Sequence, residues 1–98
     1  MQAKIDKVQE FLRLHRWDAW VVLTETARDI NSVYLTEKSL QSRHAVIVHV
    51  TGRPILLIHQ SEADQDNSLL ELEPYIVFTY TNLLEFGTRL RQALQITS

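Results

Sequence analysis

Ile5, Val8, Phe11, Leu12 and His15 recur at three- and four-residue intervals, so residues 4–15 predict an amphipathic helix. After Asp18 the run 19–23 (AWVVL) is apolar at odd and even positions alike, as in a strand covered on both faces of its sheet. Such cover must come from helices, which favours an α/β sandwich over an open antiparallel sheet. Thr26 and Asp29 form a variant capping box ahead of a short helix carrying Ile30, Val33 and Tyr34 on one face. Residues 36–43 are polar except for Leu40 and read as a loop, of a size that often carries contacts or function.

Residues 45–50 and 55–58 are β-branched, apolar runs joined through Thr51, Gly52, Arg53 and Pro54. Gly52 supplies the positive φ of a tight turn, and Pro54 can open a strand without losing a ladder bond, so the pair predicts a hairpin. Ser61, with Asp64 three residues on, reads as an N-cap. Glu62, Asp64 and Asp66 then complement the positive end of the helix dipole. Residues 75–80 (YIVFTY) predict a strand entered through Pro74. Asn82 and Glu85 cap a last helix whose stripe is Leu83, Phe86, Leu90, Ala93 and Leu94. Gly87 within it costs up to about 1 kcal/mol relative to Ala, which a close helix–sheet approach would explain. The order α-β-α-β-β-α-β-α predicts a three-layer α/β sandwich, with a mixed sheet of about four to five strands and helices on both faces. Its expected core is Ile5, Val8, Leu12, Trp20, Val22, Val46, Val48, Leu57, Ile76, Phe78 and Leu90.

Ninety-eight residues suit one domain, 1–98, and 45% apolar with 22% charged residues argues against disorder. Cysteine is absent, which removes disulfides and thiolate metal sites and fits a cytoplasmic protein. Ten basic residues are scattered among twelve acidic ones, without the concentrated positive face that nucleic acid requires. No apolar run is long enough to span a bilayer, and the N-terminus MQAKIDKVQE lacks the apolar middle of a signal peptide. No nucleic-acid or membrane partner is expected.

His49 and His59 lie on the two arms of the hairpin. A three-residue loop makes them diagonal neighbours on one face, whereas a two-residue loop puts them on opposite faces. No third metal ligand alternates with them, so structural or surface histidines are the expectation. The two glycines flank no serine and cannot build a nucleophile elbow or a phosphate-binding loop. Glu62, Asp64 and Asp66 lack the bend and terminal Glu of a calcium loop and read as a solvated helix start. Trp20 reads as core and Trp17 as cover for the end of the first helix, with packing favoured over an aromatic platform. No catalytic residue and no metal ligand is assigned.

The order and spacing of several weak motifs carry more. Asp18-Ala19 enters the first strand, Asn31 through Thr36 read Asn-x-x-Tyr-Leu-Thr, and a glycine turn precedes Pro54-Ile55-Leu56-Leu57. An acid, Glu62, opens the next helix. In this the chain resembles the N-terminal, non-catalytic domain of the creatinase/prolidase metallopeptidases, the Xaa-Pro dipeptidases and aminopeptidases whose catalytic half has the pita-bread fold. The resemblance implies that this domain shapes access to the active site and builds subunit contacts. Its partners would be its own C-terminal catalytic domain and a second copy in a homodimer. Two divalent ions such as Mn or Co would belong to the catalytic domain, which is absent here, so the chain alone should not be an enzyme. Substrate or interface contacts would fall on Tyr34, Glu37, Lys38 and Arg43. The family commonly continues with Gly-Phe after Tyr-Leu-Thr, where this chain has Glu37-Lys38. A free-standing interaction module and a small enzyme built on His49 and His59 are the rival readings.

Overall fold

The computed structural model describes residues 2–25, 30–38 and 40–95. Helix α1 spans Gln2–His15, strand β1 Ala19–Thr24, helix α2 Ile30–Thr36, strand β2 His44–His49 and strand β3 Ile55–His59. Helix α3 (Gln60–Gln65) and a 3-10 turn (Asn67–Glu71) lead to strand β4 (Ile76–Tyr80) and helix α4 (Leu83–Gln95). The four strands form one sheet in the order β1-β2-β3-β4. β1 and β2 are antiparallel, as are β2 and β3, while β4 runs parallel to β3. A parallel neighbour needs a long crossover, which α3 and the 3-10 turn supply. The mixed sheet flanked by helices is the architecture expected from the sequence.

Alternation sorts the side chains onto two faces. Val22, Val46, Val48, Leu56 and Ile58 point to one, where they meet Ile5 and Leu12 of α1, Leu35 of α2, Ala63 of α3 and Leu69 of the 3-10 turn. Ala45, Ile47, Ile55, Leu57 and Tyr80 point to the other and meet Phe86 and Ala93 of α4. Three layers result, with α1, α2, α3 and the 3-10 turn covering one face of the sheet and α4 the other.

Several expectations need correction. β1 is an edge strand, so its doubly apolar pattern does not mean double cover, and Leu23 is 58% exposed. The buried face of α2 is Leu35 and Thr36, whereas Val33 and Tyr34 are exposed. α4 buries Phe86 and Ala93, while Leu83 and Leu94 of the predicted stripe face outward. An added Cβ at Gly87 would meet nothing within 4 Å, so no close approach accounts for that glycine. The cap of α3 is His59, whose Nδ1 accepts from the Ser61 amide at 3.0 Å, not Ser61 itself. The proposed box at Thr26 and Asp29 lies outside the described residues. At α4 the cap is as expected: the Glu85 amide donates to Asn82 Oδ1 at 2.9 Å, and Glu85 Oε1 accepts from the Thr81 amide at 2.8 Å.

Of the expected core, Ile5, Leu12, Val22, Val46, Val48 and Leu57 are buried, and Val8, Trp20, Ile76, Phe78 and Leu90 are partly so. The larger share of the fully buried volume is in residues outside that set, including Leu35, Ile47, Ile55, Leu56 and Ile58. Leu56→Ala should therefore lower unfolding free energy by about 2–5 kcal/mol, the cost of an unfilled core cavity. Leu84→Ala on the outer face of α4 should change it by less than about 0.5 kcal/mol. Urea denaturation of the two variants measures the contrast.

Candidate functional site

The four residues singled out for contacts do not converge on one site. The exposed Tyr34 ring lies 4.6 Å beneath the Lys4 ammonium, beside α1. Glu37 ends α2 in the left-handed region at φ 58°, its amide donating to the Val33 carbonyl at 2.7 Å. That is the position at which a helix usually places glycine. The Lys38 amide donates to Thr36 Oγ1 at 3.2 Å. Arg43 is on the other side of the sheet, paired with Glu25 at 2.6 Å and 5.9 Å above the Phe86 ring. Residues 37–43 thus pass from one layer to the other.

That passage is anchored, not free. Glu62 is buried, and its Oε1 accepts from the Gln41 amide at 2.6 Å and the Ser42 amide at 2.7 Å. Leu40 is buried in the core, and the Arg43 carbonyl accepts from the Tyr80 hydroxyl. The acid that a sequence reading gives to the helix dipole mainly holds this loop. Asp66 is likewise occupied, receiving the Ser68 hydroxyl and amide, and the Ser68 hydroxyl bond is the main reason its pKa is lowered.

The hairpin histidines share a face but not a site. Ala45 pairs with Leu57 and Ile47 with Ile55, so His49 lies two residues beyond Ile47 at the turn end. His59 lies two residues beyond Leu57 at the opposite end. Both sequence alternatives assumed a shorter loop than this register leaves. His49 Nε2 donates to the Ala93 carbonyl at 2.8 Å, tying β2 to α4. His44 Nδ1 donates to the Ser42 carbonyl at 2.8 Å, and His59 caps α3 while meeting Tyr80 edge-on at 5.1 Å. Among the described residues no group of three or more His, Asp or Glu could hold a metal ion.

An aromatic-lined concavity lies elsewhere, between α1, α2 and β1. It is a groove of about 360 Å³ lined by Lys4, Lys7, Val8, Phe11, Leu12, Trp17, Trp20 and Tyr34. The way α1 ends builds its rim. Arg16 takes φ 58°, the Trp17 amide donates to the Leu12 carbonyl at 2.9 Å, and the Arg16 amide to the Arg13 carbonyl at 3.2 Å. These are the two bonds of a Schellman cap, which folds the residue after the turn back onto the last helical turn. Trp17 accordingly stacks on His15 at 5.2 Å and meets Phe11 at 5.6 Å. Trp17 thus covers the end of α1, as expected, while staying 54% exposed, and Trp20 is only partly buried. Sequence reasoning noted both tryptophans but could not see that packing brings Phe11 and Tyr34 to them.

Comparison with known proteins rests on structure. No protein-family model matches the sequence, and no curated protein matches it. The fold does match that of the creatinase/prolidase N-terminal domain of an X-Pro dipeptidase from Streptococcus pyogenes. The TM-score is 0.74 over 100% of this chain and 72% of that one, at 16% sequence identity. At that identity the likeness is one of fold, and the fold is that of the creatinase/prolidase N-terminal domain.

Two outcomes follow from the anchored loop and the buried phenols. Glu62→Ala removes the charged acceptor of the Gln41 and Ser42 amides, so it should cost about 1.5–3 kcal/mol. It should also accelerate hydrogen exchange at Gln41 and Ser42, as read by NMR. The Tyr75 hydroxyl donates to the Leu35 carbonyl at 2.6 Å, and burial, aided by the Glu37 charge, raises its pKa well above the usual 10.0. Burial raises the Tyr80 pKa as well, partly offset by Arg43. Below about pH 10 both states keep these protons and the stabilisation is complete; above it the unfolded phenols ionise first. Stability should therefore fall as pH rises above about 10, and Tyr75→Phe should remove part of that slope in urea titrations.

Proposed function

We propose that this chain is the non-catalytic N-terminal domain of an Xaa-Pro dipeptidase- or aminopeptidase-like metallopeptidase, shaping active-site access and subunit contacts. The observation that carries this reading is the whole-chain likeness in fold to such a domain. The two divalent ions of such an enzyme, Mn or Co, would sit in a C-terminal catalytic domain. The residues here do not fit a two-metal centre: His44, His49 and His59 are committed to bonds within the fold, and Glu62 to two amides. The natural partners in this reading are that catalytic domain and a second copy, in the cytoplasm, with no nucleic acid or membrane involved. No helix among the described residues is long and apolar enough to cross a membrane.

A second reading, a free-standing dimerisation module, draws support from the outward leucines of α4, with Leu83 and Leu84 exposed beside the α4 N-terminus. Contiguous exposed apolar surface commonly marks an interaction site. An immunoblot of the native product separates the two. A band several times larger than 11.4 kDa supports the peptidase-domain reading, and a single band near 11.4 kDa supports the free-standing module. The purified chain with Mn²⁺ should show no hydrolysis of an Xaa-Pro dipeptide. Turnover abolished by a chelator would overturn the non-catalytic assignment.

A further inference from the structure

We infer that the groove between α1, α2 and β1 is a binding site for a small aromatic carboxylate. Its volume of about 360 Å³ falls at the lower end of the roughly 300–1,000 Å³ typical of ligand pockets. That size favours a compact molecule over an extended peptide. The walls are aromatic on three elements: Phe11 on α1, Trp17 and Trp20 at β1, and Tyr34 on α2. Flat rings of this kind pack an aromatic guest by offset or edge contacts at centroid distances of about 4.5–7 Å.

Charge decides the sign of the guest. Among the described residues the charged lining is Lys4 and Lys7, with no Asp or Glu. Lys4 is already engaged, donating to the Tyr34 carbonyl at 2.9 Å with its ammonium over the Tyr34 ring. Lys7 has neither an ion pair nor a hydrogen bond among the described residues. A carboxylate on a ring lying against the Phe11–Trp17 pair would meet an ammonium that no described residue has neutralised. The Schellman cap fixes Trp17 through backbone bonds, so one wall is set before any ligand arrives.

The test compares 1-naphthaleneacetate with its neutral amide, which share ring and shape but not charge. The chain's two tryptophans both line the groove, so their indole N–H signals in an NMR titration report on it directly. The expected result is saturable movement of both indole signals, with the acid binding about two- to fivefold more tightly than the amide, the scale of a partly exposed ion pair. Lys7→Gln should erase that difference while leaving amide affinity unchanged, and Trp17→Ala should weaken both ligands. Circular dichroism confirms that each variant is folded. Equal affinity for acid and amide, or indole signals that stay still, overturns the proposal. Indole shifts that depend on protein concentration without ligand also overturn it, since a second copy would then fill the groove.

Discussion

The central strand pair is buried on both faces, and this requirement organises the rest of the molecule. All residues of β2 and the first four of β3 are buried, so both sides of this hairpin must be covered. On one side α1, α2, α3 and the 3-10 turn share the task. On the other α4 acts alone. A helix is about 10–12 Å across, whereas four strands spaced by about 4.8 Å span more than that. Cover is therefore incomplete at the sheet margins, and Val21, Ile76 and Phe78 stay only partly buried. The polar links follow the same need for closure: Gln9 reaches from α1 to the carbonyls of His49 and Gly52, and Arg53 to those of Pro74 and Tyr75.

A chain with two glycines must turn its helices with other residues. Arg16 and Glu37 both take the left-handed region, at a cost of roughly 1–2 kcal/mol for a residue with a Cβ. Each is held by backbone bonds to the helix it ends, and each leads into a segment packed elsewhere. After Arg16 that segment is Trp17 and the edge strand. After Glu37 it is the loop that buries Leu40 and binds Glu62. At position 37, where the resembled family commonly has Gly, the turn survives because surrounding contacts determine it.

Periodicity makes local structure legible and leaves long-range arrangement hidden. The helical spacing of Ile5, Val8 and Leu12, the two apolar arms around Gly52 and the Asn82–Glu85 cap all appear in the fold as their pattern implies. The strand β1 shows the limit. AWVVL looks the same whether its strand is central or marginal, because strand order depends on pairings that composition does not encode. Leu35 misleads in the opposite way: it lies one residue beyond the stripe chosen for α2, yet tertiary packing buries it completely. Glu62 and Gln41 are 21 residues apart, so the bond between them leaves no local trace. The groove is hidden for the same reason, since Phe11 and Tyr34 come to line it through packing, not through spacing.

The distribution of polar chemistry also bears on what the domain can do. Groups that might have served catalysis are spent on architecture: His49 joins sheet to helix, His59 caps α3, Tyr75 closes α2 onto the core, and Glu62 fixes the crossing loop. What remains open is surface. The aromatic groove belongs to the α1–α2 layer, and the outward leucines belong to the α4 layer on the opposite side of the sheet. A partner seated on the outer face of α4 would leave the groove accessible, because the whole thickness of the sheet separates them. Docking against a larger body and binding of a small aromatic anion are thus compatible in one molecule.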